Sequence, residues 1–277
     1  MLDLLTAASV WLDTTGVKLT QPAPTAIQTN WLFPNDPQST QQVSTYLNRL
    51  TGRGFAASEQ GVWLQTSQGF LASHQGSVPL SAASITKSVT SLMALKTWGP
   101  KQQFQTQIGA TGAIVNGVLY GDLVIEGGGD PLFVWEEAFS VAQALNQMGI
   151  LQVNGNLVVT GNFAMNYEED RLKSGQLLLQ ALDPARWPPE ATAQFVTLPP
   201  GNRPGRVVIA GQVLVTPNPP RTLTPLMVRQ SLPMVDLIRR MNIYSNNFIA
   251  QHLANGLGGH EVITREAAAM AGVPAQE

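Results

Sequence analysis

The stretch from Val78 to Trp98 constrains this chain more than any other. An extended approach, Val78-Pro79-Leu80-Ser81-Ala82-Ala83, runs into Ser84. From there Val89, Leu92, Met93 and Leu95 recur at helical spacing until Gly99-Pro100 stops the helix. Ser84 therefore falls at a helix N-terminus, where backbone N–H groups and the helix dipole favour negative charge. Lys87 follows on the same face, one turn later. A serine hydroxyl becomes a good nucleophile once a base takes its proton, and a poorly solvated lysine is one such base. No Asp, Glu, Lys or Arg lies between Glu59 and Lys87, so the pattern predicts a lysine in weakly solvating surroundings. A capping serine followed by a solvated lysine has the same letters. Ser-x-x-Lys recurs by chance roughly once in a chain of this size, and the pair alone leaves both readings open.

Composition narrows the classes. The 277 residues suffice for one large domain or two smaller ones, and 44% hydrophobic residues allow a sizeable core. Charged residues make up 12%, about half the usual ~25%. With a net charge of −2 and no Lys/Arg run, a basic nucleic-acid-binding face is excluded. There is no cysteine, which removes disulfides and thiol catalysis and leaves the compartment open. No run of eighteen apolar residues is present, so no transmembrane helix is expected. The start, Met1 to Leu12, is mildly apolar, carries Asp3 and lacks a basic n-region. It reads as a degenerate signal peptide or as a short amphipathic helix able to associate with a membrane.

Along the chain, residues 1–39 form a leader that is polar and Pro-rich from Asp13 onward. A helix follows over Thr40–Leu50, capped by Ser39 or Thr40, with Val43, Tyr46, Leu47 and Leu50 on one face. Gly61–Thr66 and Phe70–Ser73 read as a hairpin turning at Ser67-Gln68-Gly69. Beyond Phe104 the pattern becomes one of short strands: Phe104–Ala110, Ala113–Val115, Val118–Glu126 after the Asn116-Gly117 turn, Gln152–Thr160 and Arg206–Val215. Helices are predicted over Val134–Met148, near Gln176–Leu182, and over Pro233–Met241, Ser245–Leu257 and Glu261–Ala271. Pro217-Asn218-Pro219-Pro220 marks a boundary, and no internal repeat is evident.

Other features carry less. Gly127-Gly128-Gly129-Asp130-Pro131 lacks any phosphate-loop pattern and reads as a turn, with Asp130 a turn residue. Glu136 and Glu137 suit the first turn of a helix. His74, His252 and His260 show no metal-ligand spacing, so neither a metal nor a cofactor is assigned.

Ser84-Ile85-Thr86-Lys87 and Ser245-Asn246-Asn247 together resemble the first two motifs, Ser-x-x-Lys and Ser-x-Asn, of the serine penicillin-binding proteins and β-lactamases. Their long separation resembles the D-alanyl-D-alanine carboxypeptidase/endopeptidase family typified by penicillin-binding protein 4, whose penicillin-binding domain is interrupted between those motifs. Gly121-Asp122-Leu123-Val124, Gly128-Gly129-Asp130-Pro131 and Gly155-Asn156-Leu157-Val158 match in the family's order, in a form similar to its cyanobacterial branch. Two positions depart from the family: Ala82-Ala83 stands where Pro-Ala is frequent, and Asn246 where Asp is frequent.

The resemblance implies an α/β (α+β) fold of the β-lactamase/penicillin-binding type. Residues 40–98 would form its first part, 99–220 an inserted β-rich region, and 221–277 an incomplete second part. It implies Ser84 as nucleophile, Lys87 as general base, Ser245 as proton relay and Asn247 as a holder of Lys87 and the substrate amide. The substrates implied are peptidoglycan stem peptides, with β-lactams as acylating analogues, in the periplasm or cell envelope. The family's third motif, Lys-Thr-Gly, does not follow Asn247. Lys173-Ser174-Gly175 precedes the second motif and reads as a decoy, so a C-terminal truncation is expected. The alternatives are a penicillin- or peptidoglycan-binding protein that turns over poorly, and a Ser-x-x-Lys esterase or amidase.

Overall fold

The computed structural model describes residues 36–67 and 69–272; most of the leader, including its apolar start, lies outside them. The chain divides into two compact units, residues 1–86 with 264–277, and residues 87–263.

In the first unit, helix α1 spans Pro37–Thr51 and starts three residues before the expected point. Its cap is Asp36, not Ser39 or Thr40: Asp36 Oδ2 accepts the Ser39 N–H at 2.7 Å. Pro37 explains the earlier start, because proline has its φ preset for the first helical position and no N–H to satisfy there. Hydrogen bonding to Ser39 holds the Asp36 carboxyl below its ordinary range. Strands β1 (Val62–Thr66) and β2 (Gly69–His74) form the expected antiparallel hairpin. Val43 and Leu47 of α1 pack with Ala72 of β2 in a small core. A short 3-10 turn, Ala83–Ile85, ends the unit.

The second unit opens with helix α2 (Thr86–Trp98), which buries Lys87, Thr90, Ser91, Met93 and Ala94. Apolar spacing had pointed to Val89, Leu92, Met93 and Leu95 as the inner face. The face turned inward is instead partly polar, and it carries Lys87.

Three expected strands are each broken in two. The pass over Val118–Glu126 becomes β5 (Val118–Tyr120) and β6 (Leu123–Gly128), after β3 (Gln105–Ala110) and β4 (Ala113–Val115). Helix α3 (Trp135–Gln147) follows, and then β7 (Gln152–Val153) and β8 (Leu157–Asn162). Next come α4 (Arg171–Ala181), α5 (Pro189–Val196), β9 (Val208–Ile209), β10 (Val213–Val215) and β11 (Thr224–Gln230). One half of each broken pass lies in a four-stranded sheet, β4-β5-β7-β9, and the other in a five-stranded sheet, β10-β8-β6-β3-β11. Pairing among β5, β7 and β9, and among β6, β8 and β10, is parallel.

The breaks fall at Gly121-Asp122, Gly155-Asn156 and Gly211-Gln212, and they stack. Gly155 N–H donates to Gly121 O at 3.1 Å, and Gly211 N–H to Gly155 O at 2.9 Å. Side chains repeat the ladder: Asp122 Oδ1 accepts Asn156 N–H at 2.7 Å, and Asn156 Oδ1 accepts Gln212 N–H at 3.1 Å. A Cβ on Gly155 would sit 2.4 Å from Gly121 O, and one on Gly211 would sit 2.5 Å from Gly155 O. The chain thus contains a threefold glycine step that sequence reading missed, because only the glycine, one polar residue and short apolar flanks recur.

The main core lies around these strands and α3. Leu123, Val124 and Ile125 are all buried, as a central parallel strand requires. Phe139 of α3 is buried against Trp187 and Phe195, with ring centroids 4.5 and 5.4 Å away. A second core joins Ala94 of α2 to Met234, Ile238 and Met241 of α6 (Met234–Ile243) and to Ile249 and Leu253 of α7 (Asn247–Gly256). The last helix, α8, spans His260–Ala271. The segment entering α6 is zipped to the segment leaving α2: Ser231 N–H donates to Phe104 O at 2.8 Å, Met234 N–H to Gln102 O at 2.8 Å, and Val235 N–H to Pro100 O at 3.1 Å.

Candidate active site

Three of the four residues singled out in sequence lie in the second unit, and they meet. Lys87, in the first turn of α2, is 6% exposed. Its Nζ donates to Asn247 Oδ1 at 2.6 Å and to Ser245 Oγ at 3.5 Å. A buried amine loses its hydration, and two oxygens offset part of that cost.

Ser245 and Asn247 are delivered by the corner between α6 and α7. Asn246 N–H donates to Met241 O at 2.9 Å and Ser245 N–H to Asn242 O at 3.4 Å, a helix end of the left-handed type. Ser245 holds the position that usually falls to glycine, at φ +48°. Asn246 then caps α7: its Oδ1 accepts Ile249 N–H at 2.9 Å. Asparagine and aspartate cap comparably, so the departure from the family's frequent Asp leaves this corner's geometry intact. Asn247 follows as the first helical residue of α7.

Ser84 lies in the 3-10 turn before α2, is solvent-exposed, and follows Ala83, whose φ is +43°. A left-handed alanine is strained by about 1–2 kcal/mol.

The decoy reading of Lys173-Ser174-Gly175 has a structural reason. The three sit inside α4, where Ser174 is fully buried and donates to Glu168 O at 2.9 Å. Gly175 is packed under the sheet: a Cβ there would meet Val213 Cγ1 at 2.5 Å.

Sequence reading missed a polar cluster where β6 and β8 end. Gly129 turns at φ +94°, and Asp130 Oδ1 accepts Leu132 N–H at 2.9 Å, so Asp130 is a turn residue as expected. It is also buried, and desolvation pushes its carboxyl up to about 6, against the pull of Leu132 N–H and Arg229. Glu137, in the first turn of α3, additionally pairs with Arg229. His252 of α7 lies 3.3 Å from Asn162 Nδ2, stacked with Phe248, and burial lowers its basicity. Among the described residues no group of three or more His, Cys, Asp or Glu side chains could hold a metal ion.

Residues 53–171 match the D-Ala-D-Ala carboxypeptidase 3 (S13) family. D-alanyl-D-alanine carboxypeptidase DacB of Haemophilus influenzae is 33% identical over 89 residues, which is 32% of this chain and 19% of that protein. Among solved structures, Bd3459, a predatory peptidoglycan endopeptidase from Bdellovibrio bacteriovorus, aligns at 25% identity and TM-score 0.54, over 70% of this chain and 54% of its own. Its penicillin G-acylated form with the immunity protein Bd3460 aligns at 24% identity and TM-score 0.59, over 76% and 56%. Penicillin-binding protein 4 (dacB) of Haemophilus influenzae aligns at 16% identity and TM-score 0.55, over 76% and 66%. The chain spans less than a fifth of the curated relative and between about half and two thirds of the solved ones. It is mixed α/β and shares their transpeptidase-like fold. Over residues 53–171 the chain is thus similar to the D-Ala-D-Ala carboxypeptidase 3 (S13) family, and over about three quarters of its length it shares the fold of Bd3459 and penicillin-binding protein 4.

Proposed function

We propose that the chain is a serine-type D-Ala-D-Ala carboxypeptidase/endopeptidase acting on peptidoglycan stem peptides through an acyl-enzyme, and that β-lactams acylate the same serine. The observation that carries this reading is Lys87: a buried amine 2.6 Å from Asn247 Oδ1 and 3.5 Å from Ser245 Oγ, three residues after Ser84 in the chain. Ser84 Oγ attacks the carbonyl carbon of the penultimate D-alanine while Lys87 takes its proton. The tetrahedral intermediate collapses as Ser245 passes a proton to the departing D-alanine amine. Asn247 holds Lys87 and the substrate amide. Water, activated by the same lysine, then hydrolyses the ester. A β-lactam forms the same ester, and its leaving amine stays tethered to the acyl group.

An inserted region beginning near residue 99 is supported by the hydrogen bonds between 100–104 and 231–235, which bring its flanks side by side, and the pairing of β11 with β3 supports extending it from residue 220 to about residue 230. The substrate class places the protein in the cell envelope. No helix among the described residues is long and apolar enough to cross a membrane.

Labelled penicillin tests the reading. The intact chain should take up one label on the peptide containing Ser84, and Ser84→Ala should take up none. Label on Ser84→Ala would overturn the assignment. Release of D-alanine from a D-Ala-D-Ala peptide separates a peptidase from a penicillin-binding protein that does not turn over, and a simple ester substrate identifies an esterase.

A further inference from the structure

Lys87 sits on α2 and Ser245 in the corner between α6 and α7, and their closeness depends on how α2 is held against that corner. Apolar packing of Ala94, Met234, Met241 and Ile249 brings these helices together. Such contacts do not fix a helix's rotation or slide to a few tenths of an ångström, whereas hydrogen bonds are directional.

Besides the two bonds of Lys87 Nζ, a further polar link joins α2 to this corner. Ser91, buried and one turn after Lys87, donates its hydroxyl to Lys87 O at 2.7 Å. The same oxygen accepts from Asn242 Nδ2 at 3.2 Å. Asn242 lies in the last turn of α6, and its carbonyl accepts the Ser245 N–H at 3.4 Å. A hydroxyl offers one donor and two acceptor sites, so Ser91 serves both partners at once. The path therefore runs from the Lys87 backbone through Ser91 and Asn242 to the Ser245 backbone.

We infer that Ser91 and Asn242 are positioning residues, a two-residue clasp that sets the Lys87–Ser245–Asn247 triangle without touching substrate. The inference rests on the catalytic reading of Lys87 and Ser245, and it deepens that reading. A serine within a helix that bonds back to the carbonyl four residues earlier gains little for the helix itself. Its value here comes from the second bond. Displacements of about 1 Å at a catalytic group cost up to ~10² in rate, and the 3.5 Å Lys87–Ser245 contact leaves little room for more.

The test uses the whole chain and two readouts. The first is the rate at which Lys87 is acetylated by trace acetic anhydride, read by mass spectrometry, which needs no catalysis. The second is the rate of acylation by labelled penicillin. Asn242→Ala and Ser91→Ala should each raise Lys87 acetylation several-fold and slow acylation by about tenfold. Ser91→Thr, which keeps a hydroxyl, should match the wild type. Leu178→Ala, which destabilises the other core, should leave both rates unchanged and controls for loss of stability. Unchanged Lys87 acetylation in both alanine variants overturns the clasp, even where wild-type acylation upholds the enzymatic reading. Raised acetylation in a chain that penicillin never labels upholds the clasp and overturns the enzymatic reading.

Discussion

Lys87 Nζ donates to Asn247 Oδ1 at 2.6 Å across 160 residues of chain. Lys87 is in the first turn of one helix, and Asn247 is the first helical residue of another. Between them the chain builds two sheets and several helices and then returns within a few hydrogen bonds of where it left. The pairing of 231–235 with 100–104 makes the two ends of the intervening segment neighbours, as the proposed insertion requires.

Asn247→Ala should remove an acceptor from the buried Lys87 Nζ. Leaving a buried donor short of a partner costs about 1–3 kcal/mol, and urea unfolding should show a loss in that range. Penicillin acylation should fall by about 10² or more, because Lys87 would no longer be held. Full acylation with lowered stability would mean that Asn247 is structural only.

Ser245→Gly should separate stability from activity. Ser245 occupies a left-handed position where a Cβ is disfavoured, and relieving this should gain about 0.5–1 kcal/mol. Acylation should fall, because in the proposed mechanism Ser245 relays the proton. A glycine variant no more stable than the wild type would show that the corner stores no strain.

Asp130 should give the protein a pH-dependent stability. Its folded value, about 6, lies above the ordinary 3.8, so the folded state holds the proton more tightly. This contribution is fully present below pH 4 and is lost as the pH rises through 6. The change is about 2–3 kcal/mol. His252 acts with the opposite sign: burial lowers its basicity, so its contribution is lost as the pH falls below about 6.5. Comparing Asp130→Asn with the wild type isolates the first effect. The variant should gain relative stability between pH 4 and pH 7 by that amount in urea titrations. A constant difference across the range would refute it.

Gly155→Ala should be among the most damaging single changes. The added Cβ would lie 2.4 Å from Gly121 O and 2.5 Å from Asp122 Oδ1, with backbone on one side and a hydrogen-bonded carboxylate on the other. Neither can move without breaking the step between the sheets. A loss of about 3 kcal/mol is expected, measured as a drop in the urea midpoint. Gly52→Ala, at φ −64° with nothing nearer than 3.5 Å to the added Cβ, provides the comparison.

Local signals served well where one element decides its own fate. The hairpin of β1 and β2, the α2 helix stopped before Gly99-Pro100, and α3 closed by Gly149 all follow from periodicity and punctuation. They failed where two elements decide together. Val118–Glu126, Gln152–Thr160 and Arg206–Val215 read as continuous strands, because nothing in any one of them says that its glycine must admit the backbone of a neighbouring segment. The inner face of α2 was legible only in part: the burial of Lys87 and Met93 was expected, but the partners of Lys87 and Ser91 are supplied by α6 and α7.

The sequence by itself determined the chemistry available: a Ser-x-x-Lys at a helix start, a Ser-x-Asn between two helices, and the turns that punctuate the chain. It also determined the local form of the corner, since an asparagine cap and a left-handed residue need only their nearest neighbours. Only the tertiary structure decided that Lys87 faces Ser245 and Asn247, that Ser174 is a helix-core serine, and that Asp130 is poor at giving up its proton. The reason is physical. Hydrogen bonds within a turn depend on residues a few positions apart. Burial and the partners of a buried charge depend on segments more than a hundred residues away, which no local pattern encodes.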